Sequence, residues 1–317
     1  MAEWIDGKAL AQEIQAEVAL EIARLRSSGV RPGLAVVIVG DDPASHVYVR
    51  SKVRACQALG IHSEKIELPG DCTTERLLQV VDSANTREEV HGILVQVPLP
   101  PQVDARRVLH AIRPEKDVDG FHPCNIGQLV AGRALLRPCT PAGIVEIFKR
   151  RRIPLVGSRA VVIGRSDIVG KPLSFLLLHE HATVTVCHSR TRDLPDVCRQ
   201  ADVLVAAMGR PAFVDETFVK PGAVVIDVGV NRVDSVDAIR SIFGEDDRRL
   251  AEHAQKGYTL VGDVHPVRVF PKCSYMTPVP GGVGPLTIAM LMSNTVRAAA
   301  RATGASRTEA FTQGAMR

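Results

Sequence analysis

Short β-branched apolar runs alternate with amphipathic helical stretches along most of this chain, and no other feature restricts the fold as much. Leu34-Ala-Val-Val-Ile-Val39 and Gly92-Ile-Leu-Val-Gln-Val97 are near-continuous apolar runs, the pattern of strands buried on both faces. Gly7–Ser28 places Leu10, Ile14, Val18, Ile22 and Leu25 three and four residues apart, which predicts an amphipathic helix. Helices are likewise predicted over Ser45–Leu59, with Gly60 past its end, and over Thr74–Asn85. Ile61–Ile66 reads as a weaker strand. Alternation of this kind predicts parallel βαβ units and an α/β fold.

The pattern breaks at Pro98-Leu-Pro-Pro101 and resumes with helices over 103–112, 126–131 and 142–152. Arg137-Pro-Cys-Thr-Pro141 marks a boundary, so a domain division falls near residue 140. A second series starts at Arg159, with strands at 160–163, 183–187, 203–206, 223–227 and 259–261. The helices of this series fall at 172–179, 194–200 and 215–219. Ser235–Gln255 is polar and charged, a loop or surface helix to which the sequence assigns no role. A Gly/Pro loop at 277–285 leads into an apolar-faced helix over Leu286–Ala300, and the residues from about Thr303 read as a frayed tail.

A length of 317 residues agrees with two domains. Apolar residues at 45% and charged residues at 23% exclude intrinsic disorder, and the few aromatics (8 Phe, 3 Tyr, 1 Trp) call for an aliphatic core. The net charge of +4 comes from scattered residues, with no basic stretch interleaved with aromatics, so nucleic acid is not an expected partner. Lys149-Arg-Arg-Arg152 is the one tight basic run, and it reads as a solvated helix end. Seven cysteines, widely spaced and without Cys-x-x-Cys, suggest neither a disulfide framework nor a zinc site. No apolar run approaches the roughly 20 residues of a membrane span, and the N-terminus does not read as a signal peptide. A cytoplasmic location is expected.

Val161-Val-Ile-Gly164-Arg-Ser-Asp-Ile-Val-Gly170-Lys-Pro172 reads as a buried strand, a tight turn and a helix start. It departs from the Gly-x-Gly-x-x-Gly dinucleotide fingerprint, with Ser166 at the second glycine position and Gly170 one residue late. The turn still brings amides to a helix N-terminus, which favours a pyrophosphate. An ordinary βα turn is the competing reading. NAD sites carry an acid at the end of the next strand, whereas this one ends Cys187-His-Ser-Arg-Thr191. A hydroxyl and a cation suit a 2′-phosphate, and Arg165 offers a second cation, so the pattern favours NADP.

Tyr48 and Lys52 sit one turn apart on a helix. A lysine beside an aromatic hydroxyl in a cleft can carry protons, although a lysine simply packed over a tyrosine is the commoner arrangement. The same Tyr-x-x-x-Lys occurs in short-chain dehydrogenases. There it follows the glycine-rich turn, whereas here it precedes Gly164 by over a hundred residues. Gln96 ends a strand where parallel sheets bind ligands. Asp117 and Asp119 flank Val118, and alternation sends one into a cleft while the other holds the loop. A metal is the rival reading for the pair, and it lacks further ligands.

Several segments then fall in one order: Tyr48-x-x-x-Lys52, Gly92-Ile-Leu-Val-Gln-Val-Pro-Leu-Pro100, Lys116-Asp-Val-Asp-Gly-Phe121, Pro138-Cys-Thr-Pro141, Gly164-Arg-Ser-x-Ile-Val-Gly-x-Pro172, Asp227-Val-Gly-Val-Asn231, Gly262-Asp-Val264 and Pro278-Val-Pro-Gly-Gly-Val-Gly-Pro285. Together they resemble the bifunctional methylenetetrahydrofolate dehydrogenase/methenyltetrahydrofolate cyclohydrolase family over nearly the whole chain.

The resemblance implies an N-terminal α/β folate-binding catalytic domain (1–139 with the returning helix 286–317), a Rossmann-type NADP-binding domain (140–285), and a cleft between them. It implies Lys52 as the catalytic lysine of the cyclohydrolase step with Gln96 its partner, Tyr48 against the folate, and Asp119 on the pterin. Gly164, Arg165, Ser166, Ser189, Arg190 and Val230 would hold NADP, and the loop Pro280-Gly281-Gly282 would close on folate. Partners are then tetrahydrofolate derivatives and a second copy in a homodimer, with no metal, nucleic acid or membrane.

Two other classes fit less well. A binding protein without chemistry would be favoured had position 52 held an inert side chain. An amino-acid-type dehydrogenase needs an acid after the second strand and no counterpart of Asp119. Within the family, retention of Lys52, Gln96 and Asp119 and of the whole 164–172 turn argues against loss of either activity.

Overall fold

A computed structural model describes residues 2–304, so the tail expected from about Thr303 lies, beyond Gly304, outside the described residues. The strands in chain order are β1 (Glu3–Trp4), β2 (Gly33–Val39), β3 (His62–Leu68), β4 (Gly92–Val95), β5 (Arg159–Ile163), β6 (Thr183–Cys187), β7 (Val203–Ala206), β8 (Val224–Asp227), β9 (Asn231–Val233), β10 (Thr259–Val261) and β11 (Tyr275–Met276). By contact the chain divides into two units, residues 2–11 with 140–287 and residues 12–139 with 288–304. The sequence places 1–139 in one domain, and the N-terminus departs from that. Glu3 N–H donates to Ser274 O at 2.9 Å, Ile5 N–H donates to Met276 O at 2.8 Å, and the Trp4 ring stacks on Phe270 at 4.1 Å.

The unit of 12–139 and 288–304 holds a three-stranded parallel sheet, β3-β2-β4. Every residue of β2 and β4 is buried, as their unbroken apolar runs require. The core around them includes Val37, Leu77, Val81, Ile93 and Val108. The chain goes from β2 to β3 on one side and then to β4 on the other. The carboxyl ends of β2 and β4 are therefore a switch point, where open parallel sheets bind ligands. The next helix, Pro43–Leu59, starts there and begins two residues before the sequence places it. Asp42 accepts from Ser45 N–H at 2.7 Å, and Pro43 needs no amide partner in the first turn.

The other unit holds a six-stranded parallel sheet, β1-β11-β8-β7-β5-β6. Counted from β5, the spatial order is 2-1-3-4-5 with β1 added at the far edge, so a second switch point lies where β5 ends. The helix Gly170–His179 follows and packs on β5 and β6.

The structure departs from the sequence reading at three places. β10 is not part of the parallel sheet and pairs antiparallel with β9 in a two-stranded ribbon. Of the two readings of Ser235–Gln255, a loop or a surface helix, the structure has the helical one, as two helices, Val236–Phe243 and Asp247–Lys256, capped by Ser235 and Asp246. The stretch 215–219 makes a single 3₁₀ turn, Glu216–Phe218. The last helix starts at Val283, three residues before the expected Leu286, and runs to Ala302.

Candidate active site

Lys52 is half-buried on the helix that leaves the β2 switch point. Its Nζ donates to Gln96 Oε1 at 3.0 Å. Gln96 has left β4, and its N–H donates to Val37 O at 2.8 Å. Its own amide N–H₂ donates to Val97 O at 2.6 Å, which fixes the amide with oxygen toward the lysine. The backbone pairing to β2 thus places the glutamine, and the glutamine holds the ammonium. Tyr48, one turn before Lys52, is 45% exposed, and its hydroxyl has no hydrogen-bond partner among the described residues.

Asp117 and Asp119 take the divergent directions that alternation predicts. Asp117 is buried and holds the loop, accepting from Gly120 N–H (3.2 Å), His122 N–H (2.8 Å) and Asn125 Nδ2 (2.8 Å). Gly120 makes the turn possible, with φ of 77° and its Cα against the Arg137 carbonyl, where a Cβ would collide. The Asp119 carboxylate has no hydrogen-bond partner among the described residues, and part of its surface stays exposed. Burial pushes its pKa up to about 6, the nearby Lys52 charge pulls it back, and Asp117 adds a smaller upward push. A lysine, an amide bonded to it and a carboxylate within reach of its charge therefore gather at one end of the sheet. Such a set can recognise a polar heterocycle edge and move protons.

In the other unit the glycine turn follows β5. Gly164 has φ of 128°, and a Cβ there would lie 2.1 Å from Ala207 O. Gly164 N–H donates to Cys187 O at 2.9 Å, tying the turn to the end of β6. One expectation changes here. Ser166 Oγ accepts from Val169 N–H (3.2 Å) and Gly170 N–H (3.4 Å), so the first helical amides are already bound. The amides of Arg165 and Ser166 have no partner among the described residues and remain for an anion.

After β6, His188 N–H donates to Thr191 Oγ1 and Arg190 N–H to His188 Nδ1. This small turn leaves Ser189 and Arg190 exposed. Arg165 is exposed in the 164 turn, and residues 188–192 after β6 hold no carboxylate. The hydroxyl and cations fit a phosphorylated ribose.

Val230 is 48% exposed at the far end of β8, on a segment that two buried aspartates hold. Asp263 accepts from Met208, Gly209 and Arg210 N–H at 2.6, 3.0 and 2.8 Å, and from Asn231 Nδ2 at 2.9 Å. Asp227 accepts from Gly229, Asp263 and Val264 N–H, while burial pushes its pKa up to about 8. Pro280, Gly281 and Gly282 belong to this same unit, and Gly282 N–H donates to Pro278 O at 2.8 Å.

The structure thus joins Lys52 to Gln96, sets Asp119 within reach of the lysine's charge, and ties the 164 turn to the 187–191 turn. Sequence reading missed Asn294, Cys139 and Asp263. Asn294 was within reach of pattern reasoning, because it follows Leu286 and Met290 at spacings of four on a buried stripe.

Two family models match the chain. Residues 5–119 match the catalytic domain of tetrahydrofolate dehydrogenase/cyclohydrolase, and residues 138–303 match its NAD(P)-binding domain. The chain is 56% identical to the bifunctional protein FolD of Solibacter usitatus over 304 residues, 96% of this chain and 99% of that one. It is 55% identical to the Koribacter versatilis protein of the same name, covering 94% and 97%.

Among solved structures, the bifunctional FolD enzyme of Campylobacter jejuni superposes with a TM-score of 0.86 at 42% identity, covering 95% and 99%. The Trypanosoma brucei methylenetetrahydrofolate dehydrogenase-cyclohydrolase, complexed with NADP cofactor and inhibitor, gives 0.85 at 40%, covering 95% and 98%. The chain belongs to the tetrahydrofolate dehydrogenase/cyclohydrolase family.

Proposed function

We propose that this chain catalyses two consecutive reactions on one folate. The first is the NADP-dependent oxidation of 5,10-methylenetetrahydrofolate to 5,10-methenyltetrahydrofolate. The second is the hydrolysis of that product to 10-formyltetrahydrofolate. When bound, NADP⁺ supplies the hydride acceptor for the first reaction. The 164 turn, Ser189, Arg190 and Arg165 hold the nucleotide, with Val230 along its path, and the loop Pro280-Gly281-Gly282 closes on folate. Asp119 accepts hydrogen bonds from the paired N–H groups of the pterin, Tyr48 lies against the folate, and alignment of the two reactants carries the oxidation.

In the hydrolysis, water adds to the methenyl carbon and loses a proton, and the C–N bond to N5 then opens. Lys52 handles the protons and Gln96 keeps its Nζ in place. The observation that carries this reading is the Lys52–Gln96 hydrogen bond at a sheet switch point, beside an unpaired Asp119. The test supplies purified protein with methylenetetrahydrofolate and either nucleotide, following reduced nicotinamide. A parallel assay follows methenyltetrahydrofolate decay without nucleotide. Strong preference for NADP⁺ together with catalysed decay is the expected result. Equal efficiency with NAD⁺ contradicts the cofactor assignment, and decay at the buffer rate contradicts the hydrolytic one.

We further propose a cytoplasmic homodimer. Among the described residues no helix is long and apolar enough to cross a membrane, and the seven cysteines are all unpaired. β6 leaves one edge of the six-stranded sheet open, with Val186 40% exposed, and edge strands of this kind are natural pairing surfaces. Light scattering that returns twice 34.2 kDa supports the dimer, and a monomer mass excludes it.

A further inference from the structure

We infer that Asn294 is a positioning residue for the folate site, acting through the loop that carries Asp119. The inference rests on the reading of Asp119 as the pterin anchor and adds the residue that sets where that carboxylate stands. Asn294 lies on the last helix, is fully buried, and belongs to the same unit as Asp119. Its Nδ2 donates to Val118 O at 2.8 Å and to Arg137 O at 2.8 Å, which uses both of its hydrogens. Val118 is the residue between the two aspartates, and its carbonyl is the last backbone acceptor before Asp119. Cys139 Sγ also meets that carbonyl, at 3.3 Å.

The loop is otherwise fixed at its start and its turn. Ile93 N–H donates to Lys116 O at 2.8 Å, and the Asp117 carboxylate gathers Gly120, His122 and Asn125. Neither anchor touches the peptide that leads into Asp119, whereas Asn294 does. Asn294 also holds the Arg137 carbonyl, against which Gly120 turns, so one amide bonds both the peptide that leads into Asp119 and the segment that the following turn packs against.

The geometry argues that this amide does more than fill the core. Asn294 Oδ1 is buried with no hydrogen-bond partner among the described residues, an unfavourable state that a leucine of similar volume would avoid. The side chain keeps that orphan acceptor in exchange for two donors aimed at two carbonyls of the site loop. Small displacements of a positioned group weaken binding of the group it meets. Loss of the Asn294 bonds should therefore appear in the folate constants and leave the nucleotide constants alone.

The experiment is a double-mutant cycle between Asn294→Leu and Asp119→Asn, with KM for methylenetetrahydrofolate, methenyltetrahydrofolate and NADP⁺ measured in each protein. Asn294→Leu is expected to raise both folate KM values about tenfold, with NADP⁺ KM unchanged. In the Asp119→Asn background the same substitution is expected to add less than about twofold, because the group it positions is already lost. Asn294→Ser retains one donor and should fall between wild type and Asn294→Leu. It also serves as the measured variant if the leucine protein does not fold. Folate KM values unchanged in Asn294→Leu, or raised equally in both backgrounds, overturn the inference while the anchoring role of Asp119 stands. A wild-type folate KM in Asp119→Asn alone overturns the anchoring reading and this inference with it.

Discussion

Asp117 and Asp119 stand two positions apart on one loop, and their different surroundings divide the work between them. Three N–H donors satisfy Asp117. Among the described residues Asp119 has none, and burial raises its pKa from the ordinary 3.8 to about 6. The sign of the consequence follows from linkage. Between those two values the folded protein binds more protons than the unfolded chain, so stability falls as pH rises through that window and the deficit persists above it. Asp119→Asn should therefore be more stable than wild type at pH 8, with the difference vanishing below about pH 4, as thermal unfolding at several pH values can show. The same substitution should raise the folate KM. In wild type that KM should climb as pH falls below about 6, where the carboxylate gains its proton, and in Asp119→Asn it should stay flat. A variant with unchanged stability at pH 8 contradicts the buried-charge account.

Two positions in the nucleotide unit, Gly164 and Arg249, make separable predictions about its elements. The 164 turn needs a glycine, since a Cβ there would strike Ala207 O in a backbone conformation L-residues rarely adopt. Gly164→Ala should raise the NADP⁺ KM by roughly tenfold or more while methenyl hydrolysis stays within about twofold of wild type, because Lys52, Gln96 and Asp119 belong to the other unit. Wild-type nucleotide binding in that variant contradicts the placement of the pyrophosphate.

The charged segment 235–255 also gains a structural role. Arg249, on its second helix, donates to Val279 O at 2.8 Å and Leu260 O at 3.1 Å, with its guanidinium 4.6 Å from the Phe243 ring centre. It thereby ties both helices of the segment to β10 and to the residue before Pro280. Arg249→Met leaves those carbonyls unpaired, at about 1–3 kcal/mol, and should lower Tm by roughly 2–10 °C. An unchanged Tm in calorimetry contradicts the bracing role.

Across the whole molecule, what the sequence revealed was what depends on neighbours in the chain. The strand 203–206 was legible to the residue and β2 nearly so, because burial on both faces writes itself as apolar runs, while 183–187 and 259–261 were legible from their β-branched residues. The pairings β1–β11 and β9–β10 were not. Two- and three-residue strands carry no periodicity, and the apolar run Thr259–Val261 suits a parallel sheet as well as an antiparallel ribbon. Lys52 and Gln96 could be brought together from strand ends and order, whereas the choice of Asp119 over Asp117 came only from the family resemblance. The partners of Asn294 could not, because they lie 176 and 157 residues away in the chain. Ser166 Oγ capping its own helix was equally hidden, since the residue types alone fit a free anion site as well.

The central claim is that one chain runs two chemistries, and that a single proton carrier serves only the second. Hydride transfer relies on alignment and builds positive charge on the folate, which an ammonium does not stabilise. Hydrolysis needs protons moved to and from water, work that a positioned group typically accelerates about 10²–10⁴-fold. Lys52→Met keeps the side-chain stem and removes the donor to Gln96 Oε1. The decisive measurement follows methenyltetrahydrofolate decay and NADPH formation separately in purified Lys52→Met. The account predicts hydrolysis reduced by about 10²-fold or more with a measurable dehydrogenase rate retained. Hydrolysis near the wild-type rate, or equal loss of both activities, would contradict it.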